Sequence, residues 1–115
     1  MRQERRRSPR LHAYLPVKIS KSGTRVVETL TKDVSESGVR FLTPEPPAVG
    51  TRVKIELTLP SPHQVVTVQG RAAWFRVLPD SDQFDIGVQF EDLTQETRIL
   101  LSRYLELHQQ PAGSR

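Results

Sequence analysis

Cysteine is absent from the 115 residues, which removes disulfides, thiolate metal ligands and cysteine nucleophiles and leaves the core to carry stability. Long apolar runs are missing as well. None approaches the roughly 18 residues of a membrane span, and the opening MRQERRRS has no apolar stretch of the kind an export signal needs. The expectation is a cytoplasmic protein with no membrane insertion. Histidine is scarce: His12, His63 and His108 lie roughly fifty residues apart on different expected elements, so they read as surface groups and no metal site is expected. A glycine-rich phosphate loop and a dinucleotide fingerprint are lacking, and no histidine stands near Ser35 or Ser37 in sequence. Catalysis and a bound cofactor are therefore not expected.

What charge there is has an uneven distribution. The net charge is +4, from 17 lysines and arginines against 13 acids. The first ten residues hold five arginines (Arg2, Arg5, Arg6, Arg7 and Arg10) and one acid (Glu4), which leaves twelve basic and twelve acidic residues beyond them. A duplex-binding protein normally carries a basic face on its folded body too. A neutral body behind a basic arm points instead to a small anionic partner, and specific nucleic-acid binding is not expected.

The chain is long enough for one domain and short for two. Its apolar residues between Tyr14 and Phe90 are mainly Val, Ile, Leu and Phe in short runs broken by Gly, Pro and Asp, an all-β pattern. Strands are expected at Tyr14–Ser20, Arg25–Thr31, Gly38–Thr43, Thr51–Leu59, Val65–Leu78 and Phe84–Phe90, with turns at Ser22-Gly23, Pro60–Pro62 and Pro79–Asp82. Thr51–Leu59 alternates most cleanly, sending Val53, Ile55, Leu57 and Leu59 to one face. Gly70 suits a bulge or sharp bend in the longest strand. Only Leu93–His108 has the helical period, with Leu100, Tyr104 and Leu107 in one stripe, Leu93, Ile99 and Leu101 widening it, Thr94 as N-cap and Glu96 in the first turn. The expected fold class is all-β: a small six-stranded antiparallel β-barrel or sandwich with a C-terminal α-helix. The organisation reads as an arm at 1–13, a barrel with helix at 14–108 and a disordered tail at 109–115.

Two stretches carry polar chemistry. The first, Glu4–Arg10 (ERRRSPR), gathers four arginines into seven residues. A guanidinium donates two parallel bonds, which suits phosphate oxygens and the O6/N7 edge of guanine. Alone, such a cluster also fits a solvated tail or a nucleic-acid anchor. The second, Asp33–Gly38 (DVSESG), lies between expected strands; Asp33 and Ser35 can bend the backbone, and Gly38 can take a positive φ or admit a close neighbour. It fits a connecting turn, and equally a cradle in which Asp33 accepts the donor pair of a guanine edge and Ser35 reaches a phosphate or base. Trp74 suits the border of such a site, the core or the barrel surface. Asp80, Asp82 and Asp85 are read as acids solvating a hairpin turn.

Together these stretches resemble the two-part signature of the PilZ family of bacterial cyclic di-GMP receptors. Arg6-x-x-x-Arg10, preceded by Arg5, is followed by Asp33-x-Ser35-x-x-Gly38 entering a strand, and Gly87–Phe90 (GVQF) before the helix is similar to the family's closing strand. The resemblance implies a barrel whose N-terminal arm folds over a ligand, with Arg5, Arg6, Arg10, Asp33, Ser35 and Gly38 as ligand-binding residues. Arg6 and Arg10 would contact guanine and phosphate, and Arg5 goes with an intercalated pair of ligands. The function implied is a receptor or adaptor with no output domain of its own, signalling to a protein partner in motility, pilus or exopolysaccharide machinery. The alternative from the arm alone is a non-catalytic nucleic-acid-binding module.

Overall fold

A computed structural model describes residues 11–21, 26–60 and 63–108. Seven strands and one helix occur among them: β1 (Leu11–His12), β2 (Pro16–Ser20), β3 (Val27–Val34), β4 (Gly38–Thr43), β5 (Arg52–Pro60), β6 (His63–Val77), β7 (Phe84–Glu91) and α1 (Gln95–His108). The sheet order is β1-β3-β2-β5-β6-β7-β4, and β3 pairs with β4 as well. That last pairing closes six antiparallel strands into a barrel, with β1 added outside on β3. The expected barrel and C-terminal helix are both present.

The alternation that marks β5 in the sequence is the reason it sits between β2 and β6 with one face turned to the barrel interior. Val53, Ile55, Leu57 and Leu59 are buried while Arg52, Lys54 and Pro60 are exposed. From the other strands of the barrel Val17, Val39, Phe41, Val68, Ile86 and Val88 join the same core. Each such side chain contributes about 1.5–3 kcal/mol on burial. A polar residue also lies within: Thr31 accepts the Leu15 N–H at 2.9 Å and donates to the Ala13 carbonyl at 2.5 Å, stitching the segment ahead of β2 to β3.

Four local readings change. β3 runs on to Val34, so Asp33 stands in a strand and not in the connecting turn. The sheet also begins at Leu11, inside the 1–13 segment expected as arm, and Ala13 is buried. In β6 the register shift falls between Ala72 and Trp74; Gly70 sits in regular pairing with Val53 and Phe90, where Val88 and Ile55 side chains crowd it. In α1 the Thr94 hydroxyl accepts the Thr97 N–H at 3.1 Å, as an N-cap should. The face it turns inward, however, is Leu101, Tyr104 and Leu105, with Leu93 and Leu100 at its edge, while Ile99 and Leu107 are exposed. Leu105 follows Leu101 by one turn, so the buried stripe is turned from the Leu100–Tyr104–Leu107 line toward the Leu101–Leu105 side.

Candidate functional site

Three elements converge where the DVSESG stretch lies. The Ser35 hydroxyl accepts the Ser37 N–H at 3.1 Å and the Gly38 N–H at 3.2 Å, while the Ser35 N–H reaches the Gly38 carbonyl at 2.9 Å. Ser35 is therefore a turn builder, and it is fully buried. The turn is pinned on its far side by the Phe90 N–H donating to the Ser37 carbonyl at 2.8 Å, and by the Ser102 hydroxyl donating to Glu36 at 2.9 Å. Gly38 does not take a positive φ; its service is close approach, since a Cβ there would strike the carbonyl oxygen of Val88 on β7.

Asp33 faces the outer side of the barrel wall, where a chain of alternating charges crosses four strands. Arg40 on β4 donates from Nε to Asp33 Oδ2 at 2.7 Å and from Nη1 to Asp85 Oδ2 at 2.8 Å; Arg76 on β6 donates from Nη2 to the same Asp85 oxygen at 2.7 Å. Both carboxylates are nearly closed off from solvent, at 5% and 2% side-chain exposure, and Arg40 is at 24%. The hydrogen bond that Arg40 donates to Asp33, with the further bond to Asp85 and the attraction of both carboxylates, holds the Arg40 guanidinium even more firmly protonated than an ordinary arginine, against the opposing pull of burial. Asp85 Oδ1, by contrast, is a buried acceptor with no hydrogen-bond partner. Asp85 is thus not the turn-solvating acid that its place beside Pro79–Asp82 suggests; it lies inside β7, opposite Leu42 and Arg76.

Trp74 borders the same face. Its register partner is Gly87 of β7, which in turn pairs with Arg40 on β4, and a Cβ at Gly87 would collide with the indole. The missing side chain lets the ring lie against the strand backbone beside the charge chain, 38% exposed.

Of the residues expected to bind ligand, the structure brings Asp33, Ser35 and Gly38 together at the end of β3 and the start of β4. Arg5, Arg6 and Arg10 lie outside the described residues, as do the Ser22-Gly23 turn and the 109–115 tail. Arg40, Asp85 and Arg76 escape the sequence reading. Each is a charged residue at an outward position of a strand, but the adjacency of β4 to β7 that unites them joins strands far apart in the chain. Among the described residues no cluster of histidines and acids is arranged to hold a metal ion, and no helix is long and apolar enough to cross a membrane. His108 instead packs its ring on Tyr104 at 4.5 Å.

The family model described as "PilZ domain" matches residues 4–107. No curated protein matches the chain in sequence. Among solved structures, the Bacillus subtilis inhibitor of motility (MotI/DgrA) superposes with a TM-score of 0.78 at 18% identity, over 96% of this chain and 55% of that one. The PilZ domain of YcgR from Escherichia coli, solved with c-di-GMP, gives 0.72 at 18% identity over 90% of this chain and 91% of that one. A K. pneumonia MrkH–c-di-GMP complex gives 0.74 at 18% identity over 88% and 51%. The chain thus spans about half the length of two of these proteins and nearly all of the third domain.

Proposed function

The chain belongs to the PilZ domain family, and from that premise we propose that it is a non-catalytic cytoplasmic receptor for cyclic di-GMP. Its ligand site is formed by Arg5, Arg6 and Arg10 of an N-terminal arm with Asp33 of the barrel, beside the turn that Ser35 and Gly38 build. One observation carries the reading. β1 pairs antiparallel with β3 in the register Leu11↔Val34 and His12↔Asp33. An antiparallel pair in this register sets Leu11 at the Ser35 end of β3, which supports a role for the arginines that precede it in sequence at the turn that the second motif builds. Nearby Arg40 orients Asp33, and the Trp74 ring offers an aromatic edge to a purine. That the same fold occurs in structures solved with c-di-GMP supports the assignment.

Residues 2–10 laid across the barrel over an anionic ligand would change the charge and shape of this face, and a partner protein in motility, pilus or exopolysaccharide machinery would read the change. Calorimetric titration with cyclic di-GMP and with short duplex DNA at about 0.15 M salt tests the reading, because weak attraction to a duplex backbone is largely screened there. Heat is expected from the dinucleotide alone. Arg10→Ala and Asp33→Asn should each weaken binding about tenfold or more, near 1.4 kcal/mol, with the barrel still folded by circular dichroism. Binding to duplex with silence toward the dinucleotide would replace the proposal with a nucleic-acid module.

A further inference from the structure

Two arginines share one oxygen of Asp85 while its other oxygen is buried and unpaired. They are not held alike. Arg40 is mostly buried and also bonded to Asp33. Arg76 has 64% of its side chain exposed, and among the described residues its one hydrogen bond is that to Asp85. A single contact from an exposed arginine holds weakly, and the guanidinium keeps further N–H donors for another acceptor. Should Arg76 depart, Arg40 would still compensate Asp85.

We infer that Arg76 is a further anion-binding residue of the ligand face, resting on Asp85 until a phosphodiester of the ligand draws it away. This rests on the receptor reading above. Position supports it. Arg76 follows Trp74 by two residues, so both stand on the outer side of β6. Roughly 10 Å, two inter-strand spacings, separate β6 from β4, and the Arg40–Asp85–Arg76 bridge already closes that gap. A phosphate seated beside Trp74 would lie within the swing of the Arg76 side chain and could accept its planar fork through two oxygens, which a shared carboxylate oxygen does not provide. No covalent step is involved; one charge-assisted contact is exchanged for another.

The test titrates the full chain with cyclic di-GMP as wild type, Arg76→Ala and Arg76→Lys, at two salt concentrations, alongside thermal melts without ligand. The alanine variant is expected to bind about five- to tenfold more weakly, on the order of 1–1.4 kcal/mol, with a flatter salt dependence, and lysine to restore part of the loss. Melting of the unliganded protein should hardly change. If the alanine variant binds like wild type at both salts, whether or not its melting temperature falls, Arg76 is only a surface ion pair and the assignment is overturned. A wild-type protein that does not bind the dinucleotide overturns the receptor reading, and this inference with it.

Discussion

Strands β5 and β7 both cross the same barrel, yet their outward sides differ. On β5 burial alternates strictly: Val53, Ile55, Leu57 and Leu59 face in, and Lys54, Glu56 and Thr58 face out, partly or fully in contact with water. On β7 the run Asp85, Ile86, Gly87 and Val88 is buried without a break. Half of that run faces outward, and it is covered by the Arg40 and Arg76 guanidinium groups and the Trp74 ring. A polar group shielded on the outer face of a small barrel costs desolvation that nothing in the core requires. The β7 wall is therefore a built surface, and the β5 wall is ordinary solvated sheet.

Substitutions matched across the two walls should separate them. The largest effect is expected for Gly38→Val, where the added side chain meets the Val88 carbonyl, a backbone atom that cannot step aside. About 3 kcal/mol or more should be lost in urea unfolding. Asp85→Ala should come next, at about 2–3 kcal/mol, a buried-pair loss reduced because Arg40 is partly exposed and keeps Asp33. Gly87→Ala asks only an indole to move, so about 1–2 kcal/mol is expected, accompanied by a shift in the fluorescence of Trp74, the single tryptophan. Glu56→Ala on the β5 wall, which removes only an exposed 3.7 Å pair with Lys54, should stay within about 0.5 kcal/mol. Equal losses for Asp85→Ala and Glu56→Ala would erase the contrast.

The helix offers a separate check through pH. Burial pushes the Tyr104 hydroxyl above its ordinary value of 10.0. The folded protein therefore holds that proton more tightly than the unfolded chain does. Its contribution is complete below pH 10.0 and declines as the pH rises through the folded value. Tyr104→Phe should remove this alkaline slope in melting curves recorded across that range.

Much of the architecture was legible in the residues because it is written in local periods. The two-residue alternation of Val53–Leu59 and Phe84–Phe90 specifies strands, the 3.6-residue repeat after Leu93 specifies a helix, and Thr94 caps it as its side chain and position dictate. The Asp33–Gly38 motif was legible by composition and spacing. The inward side of α1 was not, since its apolar residues span more than one face and packing chose Leu105 over Leu107.

Sequence by itself thus determined strand content, the capped helix, the neutral body behind an arginine-rich start, and the family signature. Only the tertiary structure decided that Asp33 belongs to a strand, that Ser35 is occupied with its own turn, and that Asp85 is a buried partner of two arginines. The reason is the closure of the sheet. Pairing β4 with β7 and β2 with β5 joins segments distant in sequence, and such pairings follow from hydrogen bonding and core packing around the whole barrel, which no local period encodes.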